Sequence, residues 1–172
     1  MFQGRAHFLF RSISRVFRYI DDLLAINDGG EFEKYCAEIY PSELELKKEN
    51  LVNIETNFLE LNIQLSNRVF HTKLYDKRDD FGFHISRLPF KDSNIPHRMF
   101  YSSASAEVLR ICRATSSLDD VISSSKSLVQ RMLKQGANEH SLKKSLIKSL
   151  NKHQITVTKF NISTEAMINC FF

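Results

Sequence analysis

Two adjacent carboxylates, Asp21 and Asp22, are the residues of this chain whose type and spacing point most directly to chemistry. They lie between two apolar, aromatic-rich runs in the segment FRYIDDLLAIN, residues 17–27. Neighbouring anions repel each other, so a protein that keeps two of them together usually supplies a cation. Mg²⁺ prefers carboxylate oxygens together with phosphate and water. The pair is therefore compatible with a bound divalent cation, but a simple turn or helix cap is the commoner explanation of two adjacent Asp residues taken alone.

The local structure that carries this pair has two interpretations. Apolar residues at positions 13, 16, 17, 20, 23 and 24 follow helical spacing and favour an amphipathic helix over residues 12–26. The β-branched and aromatic residues on both sides of the Asp pair instead favour two strands joined by a turn. Periodicity alone does not choose between them.

The rest of the chain predicts an α+β fold, in which a first part with strands and one helix is followed by an all-helical part. We expect a helix over 31–40 that Pro41 ends, and strands over 44–48, 58–65, 69–75 and 83–87. Beyond a boundary near residue 90 the apolar spacing becomes helical. Gly136 is expected to end one helix, and Asn138 and Ser163 to cap two later ones.

Charge and cysteine usage limit the classes of protein. Residues 1–90 carry 12 Lys and Arg against 14 Asp and Glu, a balance of −2, whereas residues 91–172 carry 12 against 6, a balance of +6. The second part therefore suits either a polyanion partner or an ordinary solvated surface. Three widely spaced cysteines without a C-x-x-C argue against a disulfide framework or a zinc site. We expect an intracellular protein, in nucleus or cytoplasm, with no membrane partner.

Several segments resemble reverse transcriptases. Tyr19-Ile20-Asp21-Asp22 resembles their Tyr-x-Asp-Asp hairpin, and NFLELNI (57–63) resembles the hairpin that grips the primer. Other runs are similar to reverse transcriptases of animal retroelements, namely KLYDKRDDF (73–81), DSNIP (92–96), RICRA (110–114) and LKQG (133–136). The resemblance covers nearly the whole chain.

This resemblance implies a structure and a reaction. It implies antiparallel strands at 16–19 and 23–26 with Asp21-Asp22 at their turn. The reaction would be nucleotidyl transfer from deoxynucleoside triphosphates onto a DNA primer along an RNA template, with two Mg²⁺ (or Mn²⁺) ions. Asp21 is then the expected direct metal ligand, Asp22 the less direct one, and Tyr19 lies beside the primer terminus.

Further roles follow from the same resemblance. Lys47 is the expected general acid, with Lys48 as an equal alternative, and either residue is as well explained as a solvated strand-edge lysine. Phe58 and Leu59 would contact the primer. Residues 1–90 would be the C-terminal part of the palm, and residues 91–172 a helical thumb. Four thumb lysines are expected to contact nucleic acid, namely Lys134, Lys143, Lys144 and Lys148.

One departure from the family affects the expected activity. Family enzymes place a third catalytic Asp and the fingers before this hairpin, but the 20 residues that precede Asp21 contain no acid. We therefore expect a C-terminal piece that is inactive alone. The alternatives are a non-catalytic nucleic-acid-binding remnant that uses its basic helical face, and a helical protein-interaction module with an accidental Asp pair. The oligomeric state stays open.

Overall fold

The computed structural model describes residues 15–26, 29–50, 52–83, 85 and 88–172, which divide into two compact units, one before Glu60 and the other Glu60–Phe172. The described residues form two small antiparallel sheets and six α-helices, so the predicted α+β class is confirmed. No helix in the described ranges is long and apolar enough to cross a membrane.

The first unit consists of a hairpin, one helix and one further strand. β1 (Arg15–Tyr19) pairs antiparallel with β2 (Asp22–Ile26), so the hairpin is confirmed and a helix over 15–26 is excluded. α1 (Glu31–Ile39) follows, and β3 (Glu55–Phe58) comes near the end of the unit. α1 ends just before Pro41, whose ring prevents a helix from continuing. No described side chain of this unit is fully buried.

Two strand predictions near this unit are wrong. Residues 44–48 form no regular element, and the alternating Leu44 and Leu46, which the described residues do not bury, stay 58% and 40% exposed. The predicted strand over 58–65 is interrupted at Leu59, whose φ of 57° is left-handed and ends the extended backbone.

The second unit begins with a hairpin. β4 (Leu61–Ser66) pairs antiparallel with β5 (Val69–Leu74) across a turn at Asn67 and Arg68, as predicted. Both turn residues have positive φ, 51° and 63°, as the hairpin turns that match strand twist require. A 3-10 turn, Lys77–Asp80, follows the hairpin. The strand predicted over 83–87 involves residues 84, 86 and 87, which lie outside the described residues.

Five helices complete the second unit: α2 (His97–Ala114), α3 (Leu118–Lys134), α4 (Glu139–Lys152), α5 (Gln154–Thr158) and α6 (Thr164–Phe171). α2 and α6 each pack against both α3 and α4. The apolar stripes of these helices form the core of the described residues, whose largest fully buried members are Phe100, Leu128, Met132, Leu142, Leu146, Leu150, Met167 and Phe171. Burying such side chains contributes roughly 1.5–3 kcal/mol each, so the helices hold this unit together.

The predicted helix ends are confirmed. Gly136 adopts φ 93°, its N–H donates to Leu133, and the next N–H, of Ala137, donates to Met132. These are the two bonds of a Schellman motif. Asn138 accepts from the N–H of Ser141 at 3.0 Å, and Ser163 caps α6 in the same way.

The β4–β5 hairpin is hydrogen-bonded to the loop between α2 and α3. The N–H of Thr72 donates to the hydroxyl of Ser116 at 2.9 Å, and the N–H of Ser116 donates to the carbonyl of Thr72 at 2.8 Å. Leu74 packs against the helical core. Beyond Leu74 the regular elements of the described residues are a 3-10 turn and helices, and the two compact units divide after Leu59.

Candidate metal and nucleic-acid sites

The two carboxylates of the β1–β2 hairpin lie in different elements, Asp21 in the turn and Asp22 in a strand. Tyr19 is opposite Asp22 in the register, so the turn consists of Ile20 and Asp21 alone. The prediction that both carboxylates lie at the turn is therefore wrong for Asp22, which is the first residue of β2. Residues directly opposite each other share a face of a sheet, so Asp22 lies on the face of Tyr19.

Both carboxylates are exposed to solvent. Their oxygens are the donors that Mg²⁺ prefers, so the donor type fits a divalent cation. The number of donors is low, because the described residues contain no group of three His, Cys, Asp or Glu side chains able to hold a metal. Within the described residues Asp21 and Asp22 are therefore two exposed carboxylates that do not belong to a larger metal-binding group.

The turn beside this site is held by Arg18. Its Nε donates to the carbonyl of Ile20 at 3.1 Å, and its guanidinium lies 5.8 Å from the centre of the Tyr40 ring. Ile20 itself has φ 51° and is 74% exposed. A β-branched residue rarely adopts this left-handed backbone, so the turn is strained.

The two lysines considered for acid catalysis lie in the irregular segment after α1. Lys47 Nζ is 4.0 Å from a carboxylate oxygen of Glu45, and Lys48 Nζ is 3.2 Å from one of Glu33. All four side chains are more than half exposed, and ion pairs of this kind stabilise little. These contacts do not select either lysine as a general acid.

The two residues expected to contact the primer lie in different elements, because β3 ends between them. Phe58 ends β3 and is half-buried, whereas Leu59 lies in the following turn and is 45% exposed. Their side chains therefore do not belong to one continuous strand face.

Three of the eight basic residues between 126 and 159 already have partners within the protein. Arg131 Nη1 lies 3.9 Å from Asp76, and Lys159 donates to the carbonyl of Thr115 at 2.9 Å. Burial lowers the pKa of Lys159. Lys143, one of the predicted nucleic-acid contacts, lies 5.7 Å from the ring centre of Phe172. The basic residues therefore do not form one uniform face.

The other five basic residues form two exposed rows. Lys144, Lys148 and Lys152 repeat every four residues on α4, on the side away from its buried leucines. Residues four apart on a helix are neighbours, so these ammonium groups line one surface. Lys126 and Lys134 are exposed on α3. No ion pair involves these five lysines within the described residues.

The structure also brings together charged groups that the sequence did not identify. Asp76 accepts two hydrogen bonds from the guanidinium of Arg78. The hydrogen bond from Arg78 holds the pKa of Asp76 below its usual value. Arg78 is close to Asp76 in sequence, but Arg131, whose Nη1 lies 3.9 Å from Asp76, comes from a distant helix, so spacing along the chain gives no signal for this contact.

A second cluster joins Glu60, the residue before β4, to α2. Arg110 donates to Glu107 on the same helix and to Glu60 at 2.6 Å. These bonds raise the pKa of the Arg110 guanidinium, with Glu107 as the main cause.

Burial raises the pKa of the Cys112 thiol to about 11, so this cysteine is a core residue rather than a nucleophile at neutral pH.

Comparison with known proteins identifies no relative. No family model, no curated protein and no solved structure matches the chain.

Proposed function

We propose that this chain is the C-terminal palm and thumb part of a reverse transcriptase, in which the first hairpin carries the metal-binding carboxylates. The single observation that supports this most is the β1–β2 hairpin, with Asp21 in its turn and Asp22 at the start of β2. The amphipathic periodicity of residues 12–26 favours a helix, so the hairpin agrees with the family resemblance where simple patterning does not. The helices of the second unit follow the strands, in the order of palm and thumb that the resemblance implies.

The chemistry assigned to the carboxylates is metal-dependent. Bound Mg²⁺ would supply charge stabilisation for phosphoryl transfer and lower the pKa of an attacking hydroxyl. Asp21 would hold the ion directly and Asp22 would assist. Tyr19, on the face of Asp22, would lie beside the primer terminus. With two carboxylates and no group of three donors among the described residues, this part of the chain should bind metal weakly and have little activity alone.

The exposed lysines of α4 support a second candidate, a non-catalytic protein that binds nucleic acid. Lys144, Lys148 and Lys152 present three ammonium groups along one helix. Such a row contacts phosphates without reading bases. This candidate requires the row and not the carboxylates, so the two functions can be separated by experiment.

Primer extension tests the first proposal. The full chain would be incubated with a DNA primer on an RNA template, deoxynucleoside triphosphates and Mg²⁺ or Mn²⁺. We expect no appreciable extension by this chain alone, because two carboxylates do not complete a two-metal site. In parallel, a Mn²⁺ titration followed by NMR should broaden the amide signals near the hairpin turn, and Asp21→Asn should abolish that broadening.

Each outcome has a defined meaning. Extension that disappears in Asp21→Ala would show that the chain is an active enzyme and that our expectation of inactivity is wrong. Uniform Mn²⁺ effects that Asp21→Asn and Asp22→Asn leave unchanged would overturn the metal role of the hairpin. Primer–template binding that persists under those conditions would then favour the non-catalytic candidate.

A further inference from the structure

The backbone of the hairpin turn is held in an unfavourable conformation. Ile20 has φ 51°, a region in which glycine is common and β-branched residues are rare. Its side chain is 74% exposed, so packing of that side chain does not compensate for the strain. Strain of this kind persists where surrounding contacts determine the conformation.

The contact that reaches this turn comes from Arg18. Its Nε donates to the carbonyl oxygen of Ile20 at 3.1 Å, two residues along the chain. The same guanidinium lies over the ring of Tyr40, 5.8 Å from its centre, within the range of a cation–π interaction. The N–H of Tyr40 bonds to the carbonyl of Cys36 at 2.9 Å, which fixes the backbone of Tyr40 to the end of α1.

We infer that Arg18 is a positioning residue, which holds the strained turn so that Asp21 presents its carboxylate, with Tyr40 as the support for Arg18. The role of Asp21 rests on the proposed function, whereas the control of the turn by Arg18 does not. Ile20 directly precedes Asp21, so the backbone angles of Ile20 set the direction in which Asp21 projects. Among the described side chains of this unit none is fully buried, so none of them anchors the turn in a closed core.

The charge of Arg18 and its positioning role have opposite effects on metal binding. Removing a cation near two carboxylates strengthens the binding of another cation by simple electrostatics. Losing the positioning contact weakens it, since residues that orient metal ligands typically contribute a factor of about ten or more in affinity. The direction of the change therefore distinguishes the two roles.

The test uses NMR of the full chain and four variants. Arg18→Met keeps the apolar stem and removes the donor and the charge. Arg15→Met removes the same charge from the far end of β1 and serves as the matched control. Tyr40→Leu removes the aromatic ring, and Tyr40→Phe retains it.

The first measurement is the backbone conformation of Ile20. A positive φ brings the amide and α hydrogens of one residue close together and gives a strong cross-peak between them. We expect this cross-peak in the parent, Arg15→Met and Tyr40→Phe, and its loss or strong reduction in Arg18→Met and Tyr40→Leu. Cross-strand contacts between Phe17 and Leu24 report whether the hairpin is still paired.

The second measurement is Mn²⁺ affinity from paramagnetic broadening of the Asp21 amide. We expect Arg18→Met to bind Mn²⁺ roughly tenfold more weakly than Arg15→Met. The inference is overturned if Ile20 keeps its positive φ in both Arg18→Met and Tyr40→Leu, or if Arg18→Met binds Mn²⁺ as tightly as Arg15→Met.

Two other results of these experiments would also be informative, namely loss of strand pairing and absence of a Mn²⁺ effect. If Arg18→Met unpairs the hairpin, Tyr40→Leu decides the question, since it leaves both strands unchanged. If the parent shows no Mn²⁺ effect at the turn, the metal role in the proposed function fails. The cross-peak of Ile20 then still decides whether Arg18 controls the turn.

Discussion

The fold stabilises the ionised form of the Asp76 carboxylate. This carboxylate accepts two hydrogen bonds from the guanidinium of Arg78 and one from the backbone N–H of Arg78, and it lies 3.9 Å from Arg131. The hydrogen bond from Arg78 is the main reason that its pKa is lowered. The folded state therefore binds fewer protons at this site than the unfolded state, and this contribution to stability depends on pH.

We predict that stability contributed by Asp76 is present above its ordinary pKa of 3.8 and is lost as the pH falls through the lower folded value. Asp76→Asn should lower the free energy of unfolding by about 2 kcal/mol at neutral pH, the magnitude of a hydrogen bond to a charged group. Below the folded pKa the parent and the variant should converge. Urea unfolding at several pH values, followed by circular dichroism, measures both effects.

Asp92→Asn is the matched control for this experiment, because Asp92 is an exposed carboxylate of the same unit. It should change the free energy of unfolding by less than about 0.5 kcal/mol at neutral pH. Equal effects of the two substitutions would contradict the role of the Asp76–Arg78 pair.

Single residues also show how far sequence reasoning reaches. The caps Asn138 and Ser163 were predictable because a cap depends on a residue type and its immediate neighbours. The pairing of Arg110 with Glu60 was not, since 50 positions separate them and only the folded chain brings them together. Arg18 was missed as a site residue because its contact to Ile20 depends on the backbone of the turn.

At the scale of elements, Gly136 terminates α3 with a geometry that suits glycine. It has φ 93°, and an added Cβ would lie 3.4 Å from Lys91 Cβ. We predict that Gly136→Ala destabilises the protein by about 1 kcal/mol or more, because alanine adopts this backbone poorly. Thermal unfolding followed at a helical wavelength measures the change.

Gly82 provides a matched comparison. A Cβ added there would meet nothing within 4 Å, and its φ lies outside the left-handed range. Gly82→Ala should therefore be neutral or slightly stabilising. If the two substitutions had the same effect, the strain argument at Gly136 would be wrong.

Elements were predictable where a local signal and a burial pattern agreed. The hairpin over 61–74 has alternating residues and a recognisable turn, and it formed as expected. The segment over 44–48 has the alternation, but the described residues do not bury it, and it formed no strand. For residues 15–26 the patterns conflicted, and the family resemblance gave the correct hairpin.

At the scale of the whole molecule, the location of charge matters more than its count. The sequence has eight basic residues over 126–159. In the fold, Arg131 forms an ion pair, Lys143 lies over an aromatic ring and Lys159 donates a hydrogen bond within the protein. Five lysines stay exposed in two rows on α3 and α4. A nucleic acid held by these rows would be bound through its phosphates.

We predict that the chain binds duplex nucleic acid with little sequence preference and with strong salt dependence. Three to five phosphate contacts would give a log–log slope of about −3 to −4, since each contact on B-DNA contributes about −0.9. Lys144→Ala combined with Lys148→Ala should weaken binding and reduce the magnitude of the slope by about 2. Fluorescence anisotropy over a range of salt concentrations gives both values.

A double variant of equal charge controls for net charge. Arg15→Ala combined with Lys77→Ala removes two exposed cations that lie outside both rows. It should leave the slope nearly unchanged. If both double variants flattened the slope equally, the rows would be an ordinary solvated surface and the nucleic-acid proposal would lose its support.

The bridge between Thr72 and Ser116 has a consequence for self-association. β5 pairs with β4 on one side, and among the described strands it has no second neighbour. An open strand edge can recruit a strand from another molecule, and exposed apolar residues such as Val69 and Phe70 would favour that recruitment. Ser116 occupies both backbone groups of Thr72 in the middle of this edge. The corner between two helices therefore blocks the central positions at which a second chain would begin a continuous intermolecular sheet.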